Sequence, residues 1–452
     1  MYGPFNAGSA SVNPIKGYGP PTTATAGQVG QHYEDLTNRK EYVCFGVSSG
    51  AYIWVMPGAN DAADIGYNGR TVKSALEDLE AIGMKCFGVQ WDTSNPSTSM
   101  TRLTRATDPS GFVTVDITEE PVAAVGTGAG RSPFDAYMPW AGMEEYNIEN
   151  GSVTAVRGDA SFSRTAKDTV VYMPKAWCRA EASGTLRRFY ICDTPRSGFV
   201  FLPGSNNYLG KYAAGDDGAG NYVTRSGLAP KTNITRSAAR TGARAKGSKW
   251  DQYDYLTYCA LTWFYRVEFA DWDCQTVIGP GNVSSGAVKN TGGTDAMTYH
   301  TGKAYDDEST DGWGYAQVQY RHIEDPWGNV NQWVDGVNFY NRLLYICMNP
   351  EDYADDTSEG YIDTGLSIVS GNNFISDIHH SEDYPWLFLP AAQQGDSSSY
   401  IPDYAYSNAG WRVLRVGGSY GTDDIAGLFC FYAHNTSTLS YASSGARLLF
   451  RP

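Results

Sequence analysis

The sequence predicts an α+β fold, and three observations predict it. Short β-like runs recur along most of the 452 residues, among them Val113 to Ile117, Val170 to Met173, Arg188 to Cys192, Leu343 to Met348 and Leu428 to Tyr432. A helical period follows Trp250, where Tyr255, Cys259, Trp263 and Val267 recur every four residues as far as Ala270. Another helical stripe, Val72, Ala75, Leu79 and Ile82, sits apart from these near the N-terminus. A composition of 42% apolar, 13% aromatic and only 18% charged residues, with 50 Gly and 32 Tyr, is that of a folded chain and not of a disordered one.

In chain order, residues 1–20 mix Gly, Pro and small polar residues and read as a flexible or partner-docked arm. Residues 21–58 read as a small all-β module, built on Tyr42-Val43-Cys44-Phe45 and Tyr52-Ile53-Trp54 around the Ser48-Ser49-Gly50 turn. Two or three such strands leave one apolar face uncovered, so the module is expected to pack against copies of itself or a neighbour. The stripe from Val72 to Ile82 places an a/d seam over residues 69–83, with Thr71 as a cap, and reads either as a short parallel coiled coil or as an amphipathic helix on its own domain. Residues 84–452 carry no linker and read as one large α+β unit. Its clearest helix, capped by Asp251, is apolar on both faces and belongs in a core. Arg236, Arg240 and Arg244 lie on one helical face within a basic stretch and read as a solvated face pairing with acids elsewhere.

The net charge of −15 disfavours nucleic acid as a partner. No run approaches the roughly 18 uncharged apolar residues that cross a bilayer, and the start, MYGPFNAGSA, lacks a signal peptide's basic flank and apolar core. Eight scattered cysteines without a CxxC pair indicate that most are buried thiols, with neither a disulfide-dense scaffold nor a zinc site. Nucleophile elbows, HExxH and Walker loops are missing, and the Gly215 to Gly220 stretch reads as a turn. Asp377, His379, Glu382 and Asp383 read as an exposed polar loop rather than a cation site. Acidic runs at Asp306-Asp307-Glu308, Glu351-Asp352 and Asp355-Asp356 have oxygen ligands for calcium but no EF-hand spacing. Hence no enzyme, no cofactor and no metal is expected, with calcium the one cation these runs could take.

The most informative stretch is the last. Between Trp411-Arg412-Val413-Leu414 and Gly445 to Phe450, the 26 positions from Ser419 to Ser444 hold Tyr420, Phe429, Phe431, Tyr432 and Tyr441 among small polar residues, and contain no Lys, Glu, Gln, Met or Trp. "GWRVLRVGGSY…AGLFCFYAHNTSTLSYASSGARLLF" resembles the variable region of proteins diversified by retroelements, whose fold is C-type-lectin-like. In that family adenine replacement yields codons that cannot encode those five missing residues. "IEDPWGNVNQWVDGVNFYNR", Ile323 to Arg342, resembles the core motif of the formylglycine-generating-enzyme branch of that fold. "SPFDAYMPW", "SGFVFLPG" and Lys231 to Gly281 are similar to larger phage and prophage versions, and the N-terminal module is similar to small modules of phage fibres. The copper-binding cysteine pair of the catalytic branch has no counterpart here.

The resemblance implies a C-type-lectin-like C-terminal domain with a variable region at about 411–450. Matched position by position, its contact surface comprises Tyr420, Thr422, Asp423, Asp424, Ile425, Phe431, Tyr432, His434, Asn435, Leu439, Tyr441 and Ser443, with Gly427, Phe429, Gly445 and Arg447 structural. Rings beside small hydrogen-bonding residues are the composition of adaptable binding surfaces. The implied function is a phage tail receptor-binding protein that grips a bacterial surface protein or glycan. Its arm and module would meet other virion proteins, and three copies would assemble. The alternatives are a formylglycine-generating or glycan-active enzyme and a structural head fibre or decoration protein.

Overall fold

The structure, a computed structural model, describes residues 15–17, 20–22, 24–26, 32–36, 40–48, 51–55, 66–67, 70–71, 83–306 and 314–452. The chain forms two compact units, Met1–Met84 and Lys85–Pro452. In the first, Ile15–Gly17, His32–Asp35, Lys40–Ser48 and Ala51–Val55 form a four-stranded sheet in that order. Tyr33 opposes Tyr42 across the ladder, and both are buried with Cys44 under Ile15. Part of the expected arm is thus a strand, pairing in parallel with the segment from His32. The expected coiled-coil helix at 69–83 lies outside the described residues except for Arg70–Thr71, which pairs as a strand with Gly66–Tyr67, and Gly83.

The second unit corrects the fold class. It is β-rich and not α+β: strands take 36% of the chain and helices 11%. Abundant Gly and turn residues divide the sequence into short runs, and β-branched and aromatic side chains fit the half-buried pleated surface those runs then form. A five-stranded sheet is built on Cys86–Asp92, Trp177–Ser183 and Leu186–Cys192, and the Cys86–Cys192 disulfide joins two of its paired strands. The other six cysteines are buried thiols. A six-stranded sheet ends on Arg447–Phe450 and Trp250–Gln252.

The largest sheet carries the site. Seven of its eight strands are β1 (Asn331–Tyr340), β2 (Leu343–Ile346), β3 (Ile362–Ser367), β4 (Gly371–Ile375), β5 (Ile401–Ser407), β6 (Trp411–Gly417) and β7 (Gly427–Asn435), in the order β3-β2-β1-β6-β7-β5-β4, and the eighth, Ser444–Gly445, pairs in parallel with β1. The β5–β7 pair is parallel; β1–β6, β6–β7 and β4–β5 are antiparallel.

Helices are few, and their settings follow from their partners. Helix α1 (Arg236–Arg244) is capped by the Thr235 hydroxyl. Its arginines pair with acids as expected, but Arg236 and Arg240 do so out of solvent. Arg236 is fully buried against Asp355 and the Asn338 amide, Arg240 pairs with Asp335 at 2.6 Å, and Arg244 with Asp251 at 2.8 Å. Helix α2 (Tyr255–Phe269) is buried at every residue, as expected of a helix apolar on both faces. Its cap is Asp254, whose Oδ1 accepts from Thr257 N at 2.8 Å, and not Asp251, which lies on the strand before it. The helix sits at the centre of one continuous core with Phe388, Phe429 and Phe431.

Candidate functional site

Register across the large sheet sets one row of side chains. Trp333 on β1 opposes Arg415 on β6, Arg415 opposes Tyr432 on β7, Tyr432 opposes Tyr406 on β5, and Tyr406 opposes Asn372 on β4. Directly opposed residues share a face, so five strands present this row on one side. His434 and Tyr404 lie two residues along their strands and extend it. The His434 ring stacks on Tyr406 with centroids 3.9 Å apart and meets Tyr432 edge-on at 5.4 Å. The Arg415 guanidinium lies over Trp333, Tyr432 and Tyr441 at 5.4, 5.7 and 5.1 Å.

Two loops wall this row into a cavity of about 530 Å³. The β6–β7 connection contributes Ser419, Tyr420, Thr422 and Ile425, and the segment after β7 contributes Tyr441 and Ser443. Backbone bonds pin both loops: Tyr420 N donates to Asn329 O at 3.1 Å, Thr422 N to Val283 O at 3.1 Å, Asn233 N to Tyr441 O at 2.9 Å and Asn331 N to Ser443 O at 2.8 Å. The Trp-Gly-Asn-Val motif supplies much of this support. Trp327 is buried and donates to Gly279 O at 3.1 Å, Gly328 N donates to Gly417 O at 2.9 Å, and Asn329 Oδ1 accepts from Lys289 N at 2.8 Å. Gly427, with φ +147°, permits the close approach of buried Asp403; a Cβ there would come within 2.1 Å of its carboxylate. Asp403 Oδ2 in turn accepts from Phe429 N at 2.6 Å and holds the start of β7.

Of the twelve sequence-predicted residues, Tyr420, Thr422, Ile425, Tyr432, His434, Tyr441 and Ser443 line this cavity. Asp423 and Asp424 form the adjacent 3-10 turn without lining it, and Leu439 is half-buried beyond it. Phe431 and Asn435 correct the expected contact surface, since neither reaches it. Phe431 is fully buried against Tyr258, Phe339 and Phe388, because it opposes Ala405 on the core face while its neighbour Tyr432 faces the cavity. Asn435 is 1% exposed, and its amide bonds to the Arg415 guanidinium and the His434 ring. Phe429 and Arg447, expected to be structural, are buried; Arg447 donates to the carbonyls of Gly210, Lys211, Glu324 and Asp325.

Sequence reasoning missed Asn331, Asn372, Tyr404, Tyr406 and Arg415, and Ser419 and Gly421 within the variable stretch, which also line the cavity. One signal for two of them was present, the alternation of Tyr404 and Tyr406 at a period of two that marks one face of a strand.

Burial and the neighbouring Arg415 and Arg412 charges lower the His434 pKa to about 4, so its ring is neutral at pH 7. Burial also drives the Tyr432 phenol well above its usual range. Several carboxylates of the acidic runs are engaged within the fold. Asp355 is held by Arg236 and Arg240, Asp356 accepts from Ser437, and Asp306 pairs with Lys303; Asp307 and Glu308 lie outside the described residues. Asp377 pairs with Arg187, and His379 bonds to Ser367 O. Among the described residues, no three His, Cys, Asp or Glu side chains gather to hold a metal, and no helix is long and apolar enough to cross a membrane.

No protein-family model and no curated protein matches the chain. Among solved structures it is similar to the Major Tropism Determinant M1 Variant, at 14% identity and a TM-score of 0.28, and to the U1 Variant, at 13% and 0.27. Each alignment covers 97% of this chain and 99% of the other. Likeness this low fixes neither the fold nor the function of this chain.

Proposed function

We propose that this chain is a phage tail receptor-binding protein that seats a bacterial surface ligand in the tyrosine-lined cavity. One observation supports it above the others: seven of the twelve predicted contact residues meet in one concavity whose floor is a paired sheet and whose loops are held by backbone bonds. Such a frame lets wall residues change without refolding, because packing comes from β6, β7 and the core beneath them. Tyrosines give large contact area at low entropic cost. The N-terminal arm and β-module attach to the particle in this reading, residues 69–83 align three chains, and three copies of a weak site add avidity. No chemical step is required.

The test uses the full chain with Tyr420→Ala and Tyr441→Ala, two wall residues outside the sheet; Tyr441 is 41% exposed. Adsorption to host cells should be lost while the melting temperature stays nearly unchanged. Undiminished adsorption by this variant contradicts the proposal.

A further inference from the structure

Arg415 is 6% exposed at the cavity floor, and among the described residues no carboxylate lies within ion-pair distance of it. That is unlike Arg236, paired with Asp355, and Arg321, paired with Glu268. Its Nη1 donates to Ser444 Oγ at 2.5 Å, while Nε and Nη2 donate to Asn435 Oδ1 at 3.2 and 2.9 Å. Of the five N–H donors of a guanidinium, one on each terminal nitrogen is left without a protein acceptor. One free donor on each terminal nitrogen is what a guanidinium offers to a carboxylate that it binds bidentately. In a chain of net charge −15, an unpaired buried cation is costly to fold, so its position at a cavity floor calls for an anionic ligand. Asp423 and Asp424 on the rim turn do not line the cavity, which leaves the floor's charge facing aromatic rings and no carboxylate.

Two acceptors complete the chemistry. Asn435 Oδ1 also accepts from His434 Nε2 at 3.1 Å, which puts the ring proton on Nε2 and leaves Nδ1 a bare acceptor. Both His434 Nδ1 and Asn331 Oδ1 are buried without a partner. Both belong to residues that line the cavity, so side-chain rotamer changes of the kind common at binding sites would present them to a ligand.

We infer that this cavity binds a carboxylated sugar of a bacterial surface glycan, with the carboxylate on Arg415, hydroxyls donating to His434 Nδ1 and Asn331 Oδ1, and the ring against Tyr406 and Tyr441. The inference rests on the receptor-binding reading. An acidic protein side chain would meet Arg415 equally well, but it carries no hydroxyl of its own, whereas a carboxylated sugar presents carboxylate and hydroxyls on one ring. A volume of about 530 Å³ suits one or two sugar rings better than a folded surface.

The test titrates the full chain with glucuronate, galacturonate and N-acetylneuraminate oligosaccharides, with their methyl esters, and with poly-L-glutamate. At least one free acid should bind, its ester at least about tenfold more weakly, as expected for loss of a charge-assisted pair. Arg415→Gln should lose binding to the same extent and Arg415→Lys retain part of it. The ester comparison leaves the protein unaltered, so it decides even if Arg415→Gln fails to fold. Absence of binding by every free acid, equal binding of acid and ester, or equal Arg415-dependent binding of poly-L-glutamate overturns the inference. If the Tyr420→Ala, Tyr441→Ala chain also loses adsorption in those cases, only the ligand class is wrong and the receptor-binding proposal stands.

Discussion

Phe431 and Tyr432 are adjacent on β7 and do opposite work. One residue of strand changes the face, so Phe431 packs on Tyr258 and Phe388 while Tyr432 meets Arg415 and His434. Phe431→Ala is therefore expected to cost roughly 3–5 kcal/mol as a core cavity, read by urea unfolding; a cost below about 1 kcal/mol would put the ring at the surface. Gly427→Ala should also destabilise, because its Cβ would meet the Asp403 carboxylate at a positive φ. Composition and the missing residue types mark out the stretch from Ser419 to Ser444. Which of its rings face outward depends on register with Ala405 and Tyr406 in a parallel partner strand, and a single sequence carries no direct signal for that.

Helix α1 shows the same limit one level up. The four-residue spacing of Arg236, Arg240 and Arg244 is visible in the sequence, but the burial of Arg236 and Arg240 depends on Asp335 and Asp355, about a hundred residues away. Arg236→Ala leaves a buried carboxylate cluster short of a cation and should cost about 3–5 kcal/mol, as for a broken buried pair. Loss within the roughly 0–1 kcal/mol of a surface bridge, measured by denaturant unfolding, would restore the solvated-face reading. For α2 the period and the core setting were legible, and the cap was misplaced by three residues. Asp251 and Asp254 are equally good caps, and the choice falls to Asp254 because Trp250–Gln252 is drawn into a sheet with Arg447–Phe450.

At the scale of the whole molecule, the β-like runs are visible and their balance against helix is not, because most strands are short and have little periodicity of their own until a partner completes them. Buried ionisable groups give the unit a pH dependence. Burial holds His322 near a pKa of about 3 instead of 6.5, despite the carboxylate of Glu145 at 3.1 Å. Below 6.5 the unfolded chain binds a proton at His322 that the folded chain does not, so this residue removes stability as pH falls from 6.5 toward 3. Asp325 acts oppositely: burial beside Glu324 raises its pKa to about 7, so its contribution grows as pH falls from 7 toward 3.8 and offsets part of the loss. His322→Gln should accordingly flatten the decline in unfolding free energy between pH 6.5 and 4, measured by urea titration at each pH. An unchanged slope would show that His322 titrates normally in the folded chain.

The central claim is that one face of the large sheet, walled by the β6–β7 loop and the segment after β7, is where this protein meets its target. Hydrogen exchange of the full chain with and without host cell-envelope fragments tests that claim most directly. Slowed exchange should concentrate in 404–406, 418–426 and 439–444. Protection falling instead on the groove of Arg179, Arg188 and His380, with those three segments unchanged, would contradict it.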